Sequence, residues 1–162
     1  MVSFLPLALL ATSAVASPVV LHPKIPDNWV WQVENWGAGC IGTGCYAFFN
    51  VTVPSTDEMQ GAKAKCITYE QGADNYFTIP STYTPCTTLE GGQNSIQARF
   101  SLRPADGTGH GPQQIEVSFL RPGSDADPTY YNYSACHDIT YNQFVSPAYN
   151  FTMTPTEVSW HF

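Results

Sequence analysis

Three carboxylates, Glu34, Glu116 and Asp138, are the side chains of this sequence that could carry hydrolysis. Two carboxyl groups about 5 to 9 Å apart across a cleft form the working pair of a glycoside hydrolase, one protonating the leaving oxygen and the other acting as base or nucleophile. Each of the three fits the polar side of a strand or a surface turn equally simply, and sequence does not give their separation. His110, within Gly107-Thr-Gly-His-Gly-Pro112, has the proton affinity of a general base on a loop. No recognisable Ser or Cys nucleophile partners it, so an exposed turn residue is the better reading. Asp125 and Asp127 resemble calcium ligands, but Pro128 follows at once and no Gly and Glu stand at EF-hand spacing, which leaves a solvated turn. Cys136 and His137 are adjacent metal-ligand types without a second Cys or His at ligand spacing. His-Glu-x-x-His, Gly-x-Ser-x-Gly and phosphate-loop motifs are absent from the chain. The expectation is a protein without a catalytic site, metal or cofactor.

Aromatic residues offer a different chemistry, because Trp29, Trp31, Trp36, Tyr130, Tyr131 and Tyr133 could line a surface that stacks sugars or phenolic ligands. Core packing is the competing use of such residues in strands. A period of two places Trp29, Trp31 and Val33 on one face, with Val30 and Trp36 on the other.

The elements that must position these groups are strands. Segment 29–36 is aromatic and β-branched, 37–44 is expected to be a glycine-rich loop, and 45–53 resumes as the second arm of a hairpin. Strand patterns recur at 62–69, 76–79, 95–103, 113–121, 129–134 and 157–162. The clearest is 95–103, where Ile96, Ala98, Phe100 and Leu102 alternate with polar neighbours. No segment holds a helical period for three turns. Thirteen prolines and twelve glycines between short strands predict one all-β domain, an antiparallel β-sandwich or β-barrel over 28–162.

The 162 residues carry six basic against thirteen acidic side chains, a net charge of −7, with no basic cluster to bind nucleic acid or an anionic membrane. Residues 1–16 form an apolar run ending in Ala14-Val-Ala16, the pattern of a cleaved secretory signal peptide, and no later stretch is long and apolar enough to cross a bilayer. Proline-rich 17–27 is expected as an extended N-terminal arm or a trimmed pro-segment. Secretion to the extracellular space agrees with three N-glycosylation sequons, at Asn50, Asn132 and Asn150. Asn50 falls inside an expected strand, so a glycan there requires an outward side chain.

Five cysteines in an oxidising compartment leave at least one single, and once that one is chosen the other four pair in any of three ways. Sequence does not select among these connectivities. The working pairing is Cys66 with Cys86 and Cys40 with Cys45, leaving Cys136 unpaired or intermolecular, as in a homodimer.

Trp29-Val-Trp-Gln-Val33, Cys45-Tyr-Ala-Phe-Phe-Asn-Val51, Cys66 after Ala62-Lys-Ala-Lys65, Cys86 after Tyr83-Thr-Pro85, and Ile96-Gln-Ala-Arg-Phe100 together resemble the fungal secreted proteins related to the major Alternaria allergen. The resemblance implies a non-catalytic, allergen- or elicitor-like secreted protein with Cys66–Cys86 as the central disulfide and Cys40–Cys45 as the close pair of elicitor-like members. It also implies an effector-type role, binding a host protein or a cell-surface component, or a phenolic ligand. The allergen has a further cysteine pair near its C-terminus, where this chain offers only Cys136, so its disulfide-linked dimer does not transfer directly. A carrier of phenolic or sugar ligands and a small secreted glycoside hydrolase are the alternatives.

Overall fold

A computed structural model describes residues 24–41, 44–71, 82–101, 114–125, 128–142 and 148–161. The expected signal peptide, residues 17–23 of the arm, the strand at 76–79, His110 and Asp127 lie outside them. The described chain is all β, two antiparallel sheets packed face to face. Ten strands build it: β1 (Trp31–Ile41), β2 (Gly44–Val53), β3 (Ala62–Gln71), β4 (Thr84–Pro85), β5 (Thr87–Glu90), β6 (Ser95–Ser101), β7 (Gln114–Arg121), β8 (Tyr130–Asp138), β9 (Tyr149–Met153) and β10 (Glu157–His161). The first sheet runs β5-β3-β2-β1-β9 and the second β10-β8-β7-β6-β4. At one edge the chain steps between sheets through Cys86 alone, and at the other through residues 154–156. These short steps hold matching edge strands of the two sheets together.

Between the sheets, Trp29, Trp31, Val33, Trp36, Phe49 and Val51 meet Ile96, Phe100, Ile115, Val117, Phe119 and Tyr133, all buried. Trp29 sits edge-on to Trp31, Phe119 and Tyr133, with ring centroids 5.4, 5.7 and 5.1 Å apart. Its indole N–H donates to the Pro54 carbonyl at 2.7 Å, and that of Trp36 to the Thr140 carbonyl at 2.8 Å. These polar ends are satisfied, so the rings bury their full apolar area without an orphaned donor.

Strict alternation predicted that Trp36 would face away from Trp31, and a β-bulge corrects this. Pairing of β1 with β2 shifts register between Glu34 and Gly37, and Asn35 takes a left-handed conformation with φ of 56°. Asparagine tolerates that region better than most residues. The Asn150 side-chain oxygen accepts the Asn35 N–H at 2.9 Å and holds the bulge. The extra residue restores Trp36 to the interior.

The expected glycine-rich loop at 37–44 is strand instead, for β1 runs through Gly37 and Gly39 to Ile41 and β2 begins at Gly44. β9 supports β1 only as far as Trp36, opposite Tyr149. Beyond it Asn142 takes over the edge. Its side chain accepts the Ala38 N–H at 3.0 Å and donates to the Trp36 carbonyl at 2.9 Å, while its own N–H donates to the Ala38 carbonyl at 3.0 Å. One buried asparagine thereby replaces a length of neighbouring strand.

Two disulfides are present, Cys40–Cys45 and Cys66–Cys86. The first joins facing residues of β1 and β2, and the second ties β3 to the crossover at Cys86. Closing the longer loop contributes roughly 3 kcal/mol in the chain-entropy account.

Candidate functional site

Facing residues of an antiparallel pair project to the same side, so register assigns every side chain of the first sheet to its inner or outer face. Along the outer face one row holds Glu34, Asn50 and Lys65; the next holds Gly37, Phe48 and Ile67; the next Gly39, Tyr46 and Tyr69. Ile41 and Gly44 complete the end nearest the Cys40–Cys45 bridge. Four of these side chains are large, apolar and in contact with solvent: Ile41 is 69% exposed, Ile67 60%, Tyr69 58% and Phe48 46%.

Glycine accounts for the flatness of this surface. A Cβ at Gly37 would collide with the Phe48 ring, and one at Gly44 with the Tyr69 phenol. The rings therefore lie down across the neighbouring backbone instead of standing away from the sheet. Tyr46 and Phe48 are nearly parallel, 8° between ring planes with centroids 6.4 Å apart. Polar groups edge the apolar rows, with Gln32, Thr52 and Lys63 forming the row beyond Glu34 and the Lys63 ammonium 3.1 Å from Glu90.

The second sheet presents a polar outer face. Arg99, Glu116 and Cys136 form one row, flanked by Gln97, Ser118, Ser134 and Glu157, with Gln114 and Asp138 on the other side. Arg99 Nε donates to Glu116 Oε2 at 2.7 Å, and the Tyr83 hydroxyl donates to Oε1. The guanidinium also lies 4.3 Å from the Tyr83 ring centre. Burial and the neighbouring Glu116 carboxylate push the Tyr83 phenol well above its ordinary range. Gln114 donates to Asp138 at 3.0 Å, and the Ser118 hydroxyl donates to the Asn132 side-chain oxygen. Shielding by its neighbours, together with Glu116 and Glu157, pushes the exposed Cys136 thiol up to about 11. At neutral pH it is a thiol and not the nucleophilic thiolate, so disulfide exchange there is slow.

Register separates Glu34, on the outer face of the first sheet, from the other two sequence-nominated carboxylates, Glu116 and Asp138, which stand in adjacent rows on the outer face of the second. Glu116 is engaged by Arg99 and Tyr83, and Asp138 by Gln114. His137 stacks on Phe151 at 3.9 Å between ring centres, where burial lowers its proton affinity against the pull of Asp138. Among the described residues no three His, Cys, Asp or Glu side chains gather to hold a metal ion. The tryptophans weighed as a ligand surface are core residues, and Tyr133 is buried with them. Tyr131 is half-buried and Tyr130 is 48% exposed, stacked on His161 at the edge of the second sheet, while on the first sheet Phe48 and Tyr69 are exposed beside a half-buried Tyr46. All three sequon asparagines lie on outer faces, Asn50 on β2, Asn150 on β9 and Asn132 on β8.

Compared with protein-family models, with curated proteins and with solved structures, the chain matches none.

Proposed function

We propose that this is a secreted, non-catalytic binding protein of the allergen- and elicitor-like kind, whose working surface is the outer face of the first sheet. Its partner is a protein on a host or other cell surface. The observation that carries this reading is the contiguous set Ile41, Tyr46, Phe48, Ile67 and Tyr69, held flat over glycines and edged by charged and amide side chains. An apolar centre with tyrosines inside a polar rim is the composition of protein–protein interfaces, and large exposed apolar patches on a secreted domain mark such sites. Exposed isoleucines favour a protein over a sugar, because a polyhydroxylated chain gains little from aliphatic contacts.

Secretion finds support in two disulfides, which persist in oxidising compartments. A carrier role has less support, since the space between the sheets is filled by Trp29, Trp31, Trp36, Phe100 and Phe119. The near-parallel Tyr46 and Phe48 rings favour a carbohydrate as the second reading, because pyranose C–H groups stack on such faces.

The test is binding of the labelled, secreted protein to intact plant cells, since the elicitor-like members of the family it resembles trigger plant defence. Saturable binding abolished by mild surface proteolysis is expected. Binding that survives proteolysis and is lost on periodate oxidation of surface sugars overturns the protein partner in favour of the carbohydrate reading, and absence of saturable binding rejects both on that surface.

A further inference from the structure

The exposed ring nearest the polar end of the aromatic face, Phe48, stands two residues before sequon Asn50, and Thr52 stands two residues after it. Because β2 is a strand throughout this stretch, the three side chains project from the same side in a line. Beside them is an open hollow of about 290 Å³ lined by Asn35, Phe48, Phe49, Asn50 and Lys65. Asn50 is half-buried on its rim, and among the described residues none makes a hydrogen bond to its amide.

The geometry points to a built seat for a glycan: Asn50 carries an N-linked oligosaccharide whose first N-acetylglucosamine lies in this hollow with one face on the Phe48 ring. The bond forms between Asn50 Nδ2 and C1 of that sugar. It replaces the bond from C1 to the diphosphate of a lipid-linked oligosaccharide, the amide gives up one proton, and the lipid diphosphate leaves. Transfer occurs on the unfolded chain, before β2 pairs with its neighbours. The electron-rich ring face then meets the electropositive C–H groups of the sugar. Phe48 is thereby covered by the protein's own carbohydrate, and the surface left for a partner contracts to Ile41, Tyr46, Ile67 and Tyr69.

The other two sequons lack such a seat. At Asn132 the residue two positions earlier, Tyr130, is already stacked on His161 at 5.3 Å, and the amide oxygen is taken by Ser118. At Asn150 the residue two earlier is Ala148, and the amide oxygen holds the Asn35 bulge. Glycans at these sites would extend into solvent.

This inference rests on the secretory reading, and the experiment separates the two. The full chain is expressed in a eukaryotic host, and medium and cells are analysed by intact mass and glycopeptide mapping. Secreted protein is then trimmed either to a single N-acetylglucosamine or to no sugar, and melted. Expected is occupied Asn50, a single sugar that keeps the stability of the full glycan, and a fall of about 2 to 4 °C on complete removal. Phe48→Ala should lower the melting temperature of the glycosylated protein and change that of the Asn50→Gln variant far less. Secreted protein with Asn50 bare, or equal effects of Phe48→Ala with and without the sugar, overturns the seat while leaving secretion intact. A chain retained in the cell with residues 1–16 uncleaved overturns both.

Discussion

The two outer faces of the sandwich are built from strands of similar length and register yet resolve opposite problems. On the second sheet, Glu116, Ser118, Asn132, Gln97 and Arg99 point outward and bury one another, with donors matched to acceptors across three strands. On the first sheet, large apolar side chains point outward and stay uncovered. The former arrangement is self-sufficient, and its loss is felt as stability. The latter contributes little to folding, because its side chains are as exposed in the native state as apolar groups rarely are. A surface that does not stabilise its own chain is free to be shaped for another molecule, and this contrast is the physical basis of the functional reading.

The largest effect is expected beneath the first face. Asn142→Ala removes two side-chain hydrogen bonds to β1 and leaves the Ala38 N–H and the Trp36 carbonyl unpaired, a loss of about 3 kcal/mol by denaturant titration. Glu116→Ala comes next, at about 2 kcal/mol, since it strands Arg99 and the Tyr83 hydroxyl in a partly buried setting. The comparison then predicts a reversal on the first face. Ile67→Ser with Tyr69→Ser should change stability by no more than about 0.5 kcal/mol, as exposed substitutions do. A loss as large as that for Glu116→Ala would mean that the aromatic face is structural.

The smallest effect is a pH dependence at the sandwich edge. His137 has a proton affinity lowered by burial, so the unfolded chain binds its proton more readily than the folded one. Stability contributed by neutral His137 is therefore complete above the ordinary histidine range, and it falls as the pH drops through that range towards the lowered folded value. His137→Gln should flatten this part of the stability–pH curve. An unchanged curve would place the acid sensitivity elsewhere.

Much of the second sheet was legible in the sequence because its strands alternate strictly: Ile96, Ala98 and Phe100 against Gln97 and Arg99, and Ile115, Val117 and Phe119 against Glu116 and Ser118. The first sheet was harder for two reasons. Gly37 and Gly44 resemble a loop locally, and their place in strands goes with rings contributed by Phe48 of β2, across the hairpin, and Tyr69 of β3, distant in sequence. Asn35 shifts the phase of β1, so counting by twos misassigned Trp36. β9 was missed because Tyr149–Met153 is short, and its pairing with β1 is non-local. A usable sign of the aromatic face lay in β2, where Tyr46 and Phe48 occupy the side opposite Ala47, Phe49 and Val51. Rings on both faces of a strand exceed what one core can bury, and the larger tryptophans are the ones the core takes.

The most direct test of the central claim is a paired measurement of affinity for the cell surface. Ile67→Ser with Tyr69→Ser is compared with Ser159→Ala, an exposed change on the opposite face. A weakening of about tenfold or more, equivalent to about 1.4 kcal/mol, is predicted for the first variant with no loss for the second. Equal affinities for both variants and the unaltered protein, or a loss confined to Ser159→Ala, would contradict the assignment of the first sheet's outer face as the binding surface.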